Sequence, residues 1–336
     1  MSTRTILTLA ATTAALSTAH ANPPSTTPQL LPESLETYRD ARQDGGPGPD
    51  GIPSIDEPEF IAAGAADLAL GDRVIGLYHE GEARAYPQNI LVWHEIVNDT
   101  IAGDNLAITY CPLTGTALGF DRGGAELGVS GKLLNSNLVM YDRETDSEYP
   151  QILGAGIDGP LAGEGLEEVR VFWTTWGKWQ ERHPDTEALS TDTGYMRNYT
   201  SDPYGDYNPV SGYYVPDSSP IFPVLHEDER YPDKYEVLGF RSGDAAVAVD
   251  PEHLAEAEVI HYDGGDAEYL VIHDAELGTG WVYTGSDIDV PAPEDIDFGP
   301  EGPSFPGADG LAEVNAFEAM WFSWYAFYPD TEVIGG

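Results

Sequence analysis

Cys111 is the only cysteine in 336 residues. It stands in Tyr110-Cys111-Pro112-Leu113-Thr114-Gly115-Thr116, with two threonine hydroxyls close behind it and a glycine that lets backbone amides approach. A thiolate is stabilised by hydrogen-bond donors and cations, which lower its pKa from about 8.5 toward neutrality. Cys111 is therefore a candidate nucleophile, with Thr114 and Thr116 as supporting donors. His94 is a candidate proton acceptor. A second reading uses the softness of the ligands: His94, Cys111 and Met140 offer imidazole, thiolate and thioether, a set suited to copper. The third is a non-catalytic surface binding protein in which Cys111 is merely packed, the commonest state of a lone cysteine. Asn135, Ser136 and Asn137 are turn formers or walls of a pocket beside the cysteine, with Tyr110 and Arg143 as further pocket candidates; Asp142-Arg143 reads most simply as a local ion pair.

These residues are unevenly shared between two halves of the chain. Val74-Ile75-Gly76-Leu77 recurs as Val237-Leu238-Gly239-Phe240, a shift of 163 residues that also lays Tyr110-Cys111 on His273-Asp274 and Gly115-Thr116 on Gly278-Thr279. Trp176, Trp179 and Pro184-Asp185-Thr186-Glu187 recur as Trp321, Trp324 and Pro329-Asp330-Thr331-Glu332, now shifted by 145 residues. Such a repeat reads as an internal duplication. What both copies keep is expected to be scaffold, including the paired tryptophans as core. What one copy lacks is expected to be chemistry, and the second copy has neither Cys111 nor His94.

The elements that must position the cysteine are mostly strands. Arg73–Tyr78 and Ala83–Tyr86 flank a Gly-containing turn, a hairpin signal. Residues 87–97 carry apolar positions at helical spacing after Pro87, which predicts a helix bearing His94. Residues 106–110 form a short apolar strand that Pro112 ends, so Cys111 falls at a strand end opening into a turn. Further strands are expected at 117–121, 126–131 and 137–141, and a helix at 173–182. The expected class is mainly β with a few short helices, in two tandem, internally duplicated lobes. The expected division is a signal peptide at 1–21, a disordered linker at 22–51, a first lobe at 52–200, a connector at 201–235 and a second, degenerate lobe at 236–336.

Composition limits the partners. Acidic residues outnumber basic ones 58 to 15, a formal charge of −43. That field repels nucleic acid and anionic membranes, and it is tolerable where salt screens it, since the Debye length falls to about 3 Å at 1 M. A salt-adapted protein is expected. Arg4, an apolar run from Ile6 to Leu16 and Ala19-His20-Ala21 read as a secretory signal rather than a membrane span. An extracytoplasmic location follows, secreted or held at the cell surface. No cofactor is predicted apart from copper under the second reading, and the sequence is silent on oligomeric state.

The Cys111 segment, together with Gly128–Leu133, Asn135–Thr145 and His183-Pro184-Asp185-Thr186, resembles the domain-of-unknown-function 3179 family. The resemblance covers nearly the whole chain after residue 51. It implies that selenocysteine stands in some members at the place of Cys111, and a second cysteine in many at the place of Thr114, which favours thiol redox chemistry. With threonine at 114 there is no resolving cysteine, so an oxidised Cys111 would need an external thiol or redox partner.

Overall fold

The computed structural model describes residues 22–28, 30–265 and 267–336. The chain is mainly β and forms a β-propeller-like ring of five blades. In spatial order across each sheet, blade I is Phe172–Thr175, Arg73–His79, Glu82–Pro87, Glu187–Leu189 and Phe60–Ala62. Blade II is Ser25–Thr26, Gly165–Val169, Thr116–Asp121, Asp104–Cys111 and Ile96–Ile101; blade III is Glu148–Pro150, Asn137–Asp142, Leu127–Leu134 and Gln43–Asp44. Blade IV is Ala316–Met320, Glu236–Ser242, Ala245–Val249 and Glu332–Ile334, and blade V is Val259–Asp263, Glu268–Asp274, Thr279–Gly285 and Ala312–Val314. Five short helices are described: α1 (Leu35–Ala41), α2 (Gln88–Leu91), α3 (Trp176–Arg182), α4 (Pro251–Ala257) and α5 (Trp321–Phe327). None is long and apolar enough to cross a membrane.

Alternation of inward apolar side chains gives each sheet two faces to bury, and the ring buries them between neighbouring blades. Ile75, Leu77 and Tyr86 of blade I pack with Val97, Ile108 and Tyr110 of blade II. Blades II, III and IV share one core, from Ile96 and Phe120 through Val129 and Met140 to Ala248, Phe317 and Trp324. Phe240 and Val247 of blade IV pack with Val271 and Val282 of blade V. Ile272 and Trp281 of blade V meet Val74, Phe172 and Trp179 of blade I, which closes the ring.

Blades I and IV are built alike. Each has a helix after one edge strand and one parallel pairing, Glu187–Leu189 beside Glu82–Pro87 and Glu332–Ile334 beside Ala245–Val249. In each the helix lays a tryptophan on a glycine: a Cβ on Gly76 would fall 2.2 Å from the Trp179 ring, and one on Gly239 2.2 Å from Trp324. The indole N–H groups then donate to Thr186 and Thr331, both at 2.9 Å. Every tryptophan of α3 and α5 is buried, as the repeated spacing implies for core.

Residues 22–51 depart from the expected disorder. Ser25–Thr26 adds to Gly165–Val169, Gln43–Asp44 adds to Leu127–Leu134, and Tyr38 of α1 is fully buried among residues of blades II and III. Composition missed these contacts because two-residue edge pairings leave no periodic signature. The expected signal peptide lies outside the described residues. Segment 201–235 is ordered, with a hairpin of Gly205–Tyr207 and Val210–Gly212 and with buried Tyr214 and Lys234.

A buried thiol at the turn between two strands of blade II

Strand Asp104–Cys111 ends at Pro112, and the chain turns through Leu113, Thr114 and Gly115 into strand Thr116–Asp121. Gly115 takes a left-handed φ of 64°, and any side chain there would press on Met320 of blade IV at 3.2 Å. The turn is pinned from two sides. Its Thr114 carbonyl accepts the Met320 N–H at 3.0 Å, and its Leu113 carbonyl accepts the Tyr213 hydroxyl at 2.8 Å. Cys111 itself is 1 % exposed.

One donor reaches the sulfur: the Leu138 N–H points at Sγ from 3.3 Å. Ser136 supplies its carbonyl at 3.8 Å from Sγ. Asn135 and Ser136 form the turn between strands Leu127–Leu134 and Asn137–Asp142 with positive φ values of 52° and 63°, the conformation a two-residue hairpin needs. They are both turn and wall: Asn135 donates to the Ala326 carbonyl at the end of α5, and Ser136 to Phe222. Behind the sulfur runs a closed polar chain. Thr114 and Thr116 hydroxyls meet at 2.8 Å, Asn137 donates to Thr114 at 3.0 Å and to Gln151 at 2.9 Å, Thr116 donates to Gln151 at 2.6 Å, and Gln151 donates to Thr109 at 2.8 Å. Such a satisfied network fixes the turn rigidly.

The donors do not make Cys111 acidic. Burial pushes its thiol up from 9.0 to about 11, the Glu95 carboxylate adds to the rise, and neighbouring donors, the Leu138 N–H among them, only partly offset them. The expectation of a pKa lowered toward neutrality is thus corrected: removing a thiolate from water outweighs the hydrogen bonding it receives here. Thr116 is not a partner of the sulfur; its hydroxyl serves Thr114 and Gln151.

His94 is engaged elsewhere. The helix predicted over 87–97 is a single turn, Gln88–Leu91, after which residues 92–95 turn into strand Ile96–Ile101. His94 ring nitrogens lie 2.7 Å from the Pro53 carbonyl and 2.7 Å from the Tyr199 hydroxyl, and burial lowers its pKa. Met140 is fully buried in blade III, flanked by Tyr149 and Val129. With both His94 nitrogens occupied, the residues do not fit a soft-metal site, and among the described residues no group of three or more His, Cys, Asp or Glu could hold a metal. Tyr110 points its hydroxyl away from the turn, toward Tyr207 at 3.2 Å and Gln88 at 3.3 Å. Arg143 is not paired with Asp142; it joins Asp50, Asp56 and Glu126 at the blade III surface. Asp142 instead holds its own turn through Glu144 N–H and Thr145.

Glu95 is the residue that sequence reasoning passed over. It has a left-handed φ of 59°, its carbonyl accepts the Tyr110 N–H at 2.8 Å, and it is 8 % exposed. Burial raises its pKa from 4.5 to about 8. Its charge acts on Cys111 and on Tyr204. Tyr204 and Tyr213, both from the 201–235 segment, pack against the core that holds Cys111, and Tyr213 bonds the turn at Leu113. The equivalent residue Glu258 has the same φ, 60°, and its carbonyl accepts the His273 N–H at the same 2.8 Å, yet it is exposed.

The equivalent of Cys111 is treated differently. Asp274 is fully buried at the corresponding turn of blade V, where it accepts from Arg182 at 3.0 Å, from Leu277 N–H at 2.9 Å and from Trp281 at 3.1 Å. One turn carries a neutralised structural acid. The other carries a thiol whose proton burial holds in place.

Fold and site together define a five-bladed β ring with a buried, polar-lined thiol at a turn of its second blade. The chain belongs to the DUF3179 family of proteins of unknown function, whose pattern matches residues 49–331. No curated protein and no solved structure matches the chain.

Proposed function

We propose that the protein performs thiol-based redox chemistry at Cys111. The observation that carries this reading is the Leu138 N–H aimed at Sγ from 3.3 Å, at a turn held by hydrogen bonds from Tyr213 and Met320 and with the sulfur 1 % exposed. A donor so placed stabilises a thiolate as it develops rather than at rest, so the thiol stays protonated and inert until an oxidant reaches it. The chain has no second cysteine to resolve the product. An external thiol must therefore return Cys111 to its reduced form, through a mixed disulfide.

The same reading takes blades I and II and blades IV and V as copies of one module, of which only the first carries the sulfur. The matched glycine–tryptophan contacts and the paired left-handed glutamates support it. Export and adaptation to salt belong to the proposal, supported by the leader-like start and the formal charge of −43.

The direct test is exposure of the native protein to hydrogen peroxide with dimedone present, followed by mass spectrometry. We expect one adduct, on Cys111, that is absent from Cys111→Ser. If native protein gives no adduct while urea-unfolded protein does, the sulfur is merely packed and the reading is wrong.

A further inference from the structure

We infer that the cleft where blade I meets blades IV and V is a binding site for one small, uncharged phenol, and that the molecule itself shows how such a ring is held. Cys111 takes no part in this site.

The cleft has a volume of about 110 Å³, and its walls include Pro251 and Leu254 of α4, His273 and Gly278 of blade V and Trp173 of blade I. The sequence shift of 163 residues matches four of these to residues of the first half: Pro251 to Gln88, Leu254 to Leu91, His273 to Tyr110 and Gly278 to Gly115. Around that first set the space is taken by two tyrosine rings of the 201–235 segment. The Tyr207 hydroxyl lies 3.2 Å from that of Tyr110 and 3.6 Å from where a Cβ on Gly115 would stand. Tyr207 stacks on Tyr214 at 4.0 Å, and the Tyr214 hydroxyl is 3.5 Å from the Gln88 amide nitrogen. Beside Pro251, His273 and Gly278 the matching space is the open cleft.

The size suits one ring, since a cavity of about 150 Å³ lined by apolar side chains takes up benzene. Buried Leu238 and Leu254 supply an apolar surface for it. A few polar groups among apolar walls are what a ligand site needs, and two of them call for a hydroxyl. His273 stands at the place of Tyr110; burial lowers its pKa, so the neutral ring keeps one nitrogen able to accept a phenolic proton. Trp173 is 2 % exposed, and its buried indole N–H has no hydrogen-bond partner among the described residues, a donor that a ligand oxygen would satisfy.

Charge at the cleft is balanced. The cation Arg73 lies over the Trp173 ring at 5.2 Å and faces Glu236 at 3.6 Å, an ion pair too long to be a hydrogen bond. Glu318 accepts the Thr279 hydroxyl, and burial raises its pKa, which favours its neutral form. Neither a carboxylate nor an ammonium group on the ring would find an unopposed partner, so the ligand is neutral.

The test is fluorine NMR of 4-fluorophenol titrated with the full-length protein in 2 M potassium chloride, with fluorobenzene, 4-fluorobenzoate and 4-fluorobenzylamine run in parallel. We expect saturable binding of 4-fluorophenol that p-cresol displaces, with both charged rings bound at least tenfold more weakly. Leu254→Trp, which fills the cleft, should abolish binding. His273→Phe keeps a flat ring but removes the acceptor, and should weaken 4-fluorophenol about tenfold while fluorobenzene binds as before; thermal melts establish that each variant is folded, and if Leu254→Trp is not, His273→Phe carries the test. If 4-fluorophenol does not bind, if a charged ring binds as tightly, or if His273→Phe leaves its affinity unchanged, the assignment is overturned. Cys111→Ser should bind 4-fluorophenol as wild type does, so failure of the thiol reading leaves this site standing.

Discussion

A carboxyl that is neutral in the folded protein leaves a thermodynamic trace. Glu95 binds its proton more tightly folded, with a pKa of about 8, than unfolded, near 4.5. Between those values the native state holds more protons than the unfolded state, so stability is full below about pH 4.5 and declines as pH rises toward 8. Glu95→Gln removes that slope. Urea unfolding of both proteins at pH 5 and pH 8.5 should show the variant gaining stability relative to wild type at the higher pH; an unchanged difference would mean that Glu95 is not buried as an acid. Cys111 was legible in the sequence because it is singular and because its turn differs between the two halves. Glu95 was not, being one of 58 acidic residues whose distinction comes only from tyrosines more than a hundred positions away. His94 drew attention through a helical spacing that the backbone abandons after Leu91, so the imidazole turns toward Pro53 and Tyr199.

Elements gain their precision from close contacts that cannot be enlarged. A Cβ on Gly76 or Gly239 would overlap the tryptophan packed against it, and overpacking a fixed core typically costs about 1–3 kcal/mol, occasionally more. Gly76→Ala and Gly239→Ala should each lower stability by at least that amount in denaturant titrations, since neither indole can retreat without losing its bond to Thr186 or Thr331. Equal losses are expected from the like geometry. Strands 73–79, 82–87, 104–111, 116–121 and 137–142 were readable because glycine and proline punctuate them and short apolar runs lie between. The opening segment was unreadable for the opposite reason: its order comes from partners at 127–134 and 165–169 rather than from its own composition. That the blades close into a ring depends on pairings of distant sequence, which no local pattern records.

On the scale of the whole molecule, charge sets the working conditions. With a formal charge of −43, self-repulsion is long-ranged at low ionic strength and weak near 1 M salt. The melting temperature should therefore rise steeply with added potassium or sodium chloride and level off, and calorimetry in 0.05 M and 2 M salt would check it; a flat response would remove the case for salt adaptation. Not every ion pair is subject to that screening. Arg241 of blade IV is 3 % exposed and grips Glu168 of blade II at 2.6 Å, while also donating to the Ile152 carbonyl at 2.6 Å and to Tyr328 at 3.1 Å. Burial of both side chains weakens the reach of dissolved ions into that seam. Brine that quiets the outer surface leaves this rivet untouched, so blades II and IV stay fastened in the very medium where ordinary surface pairs fade.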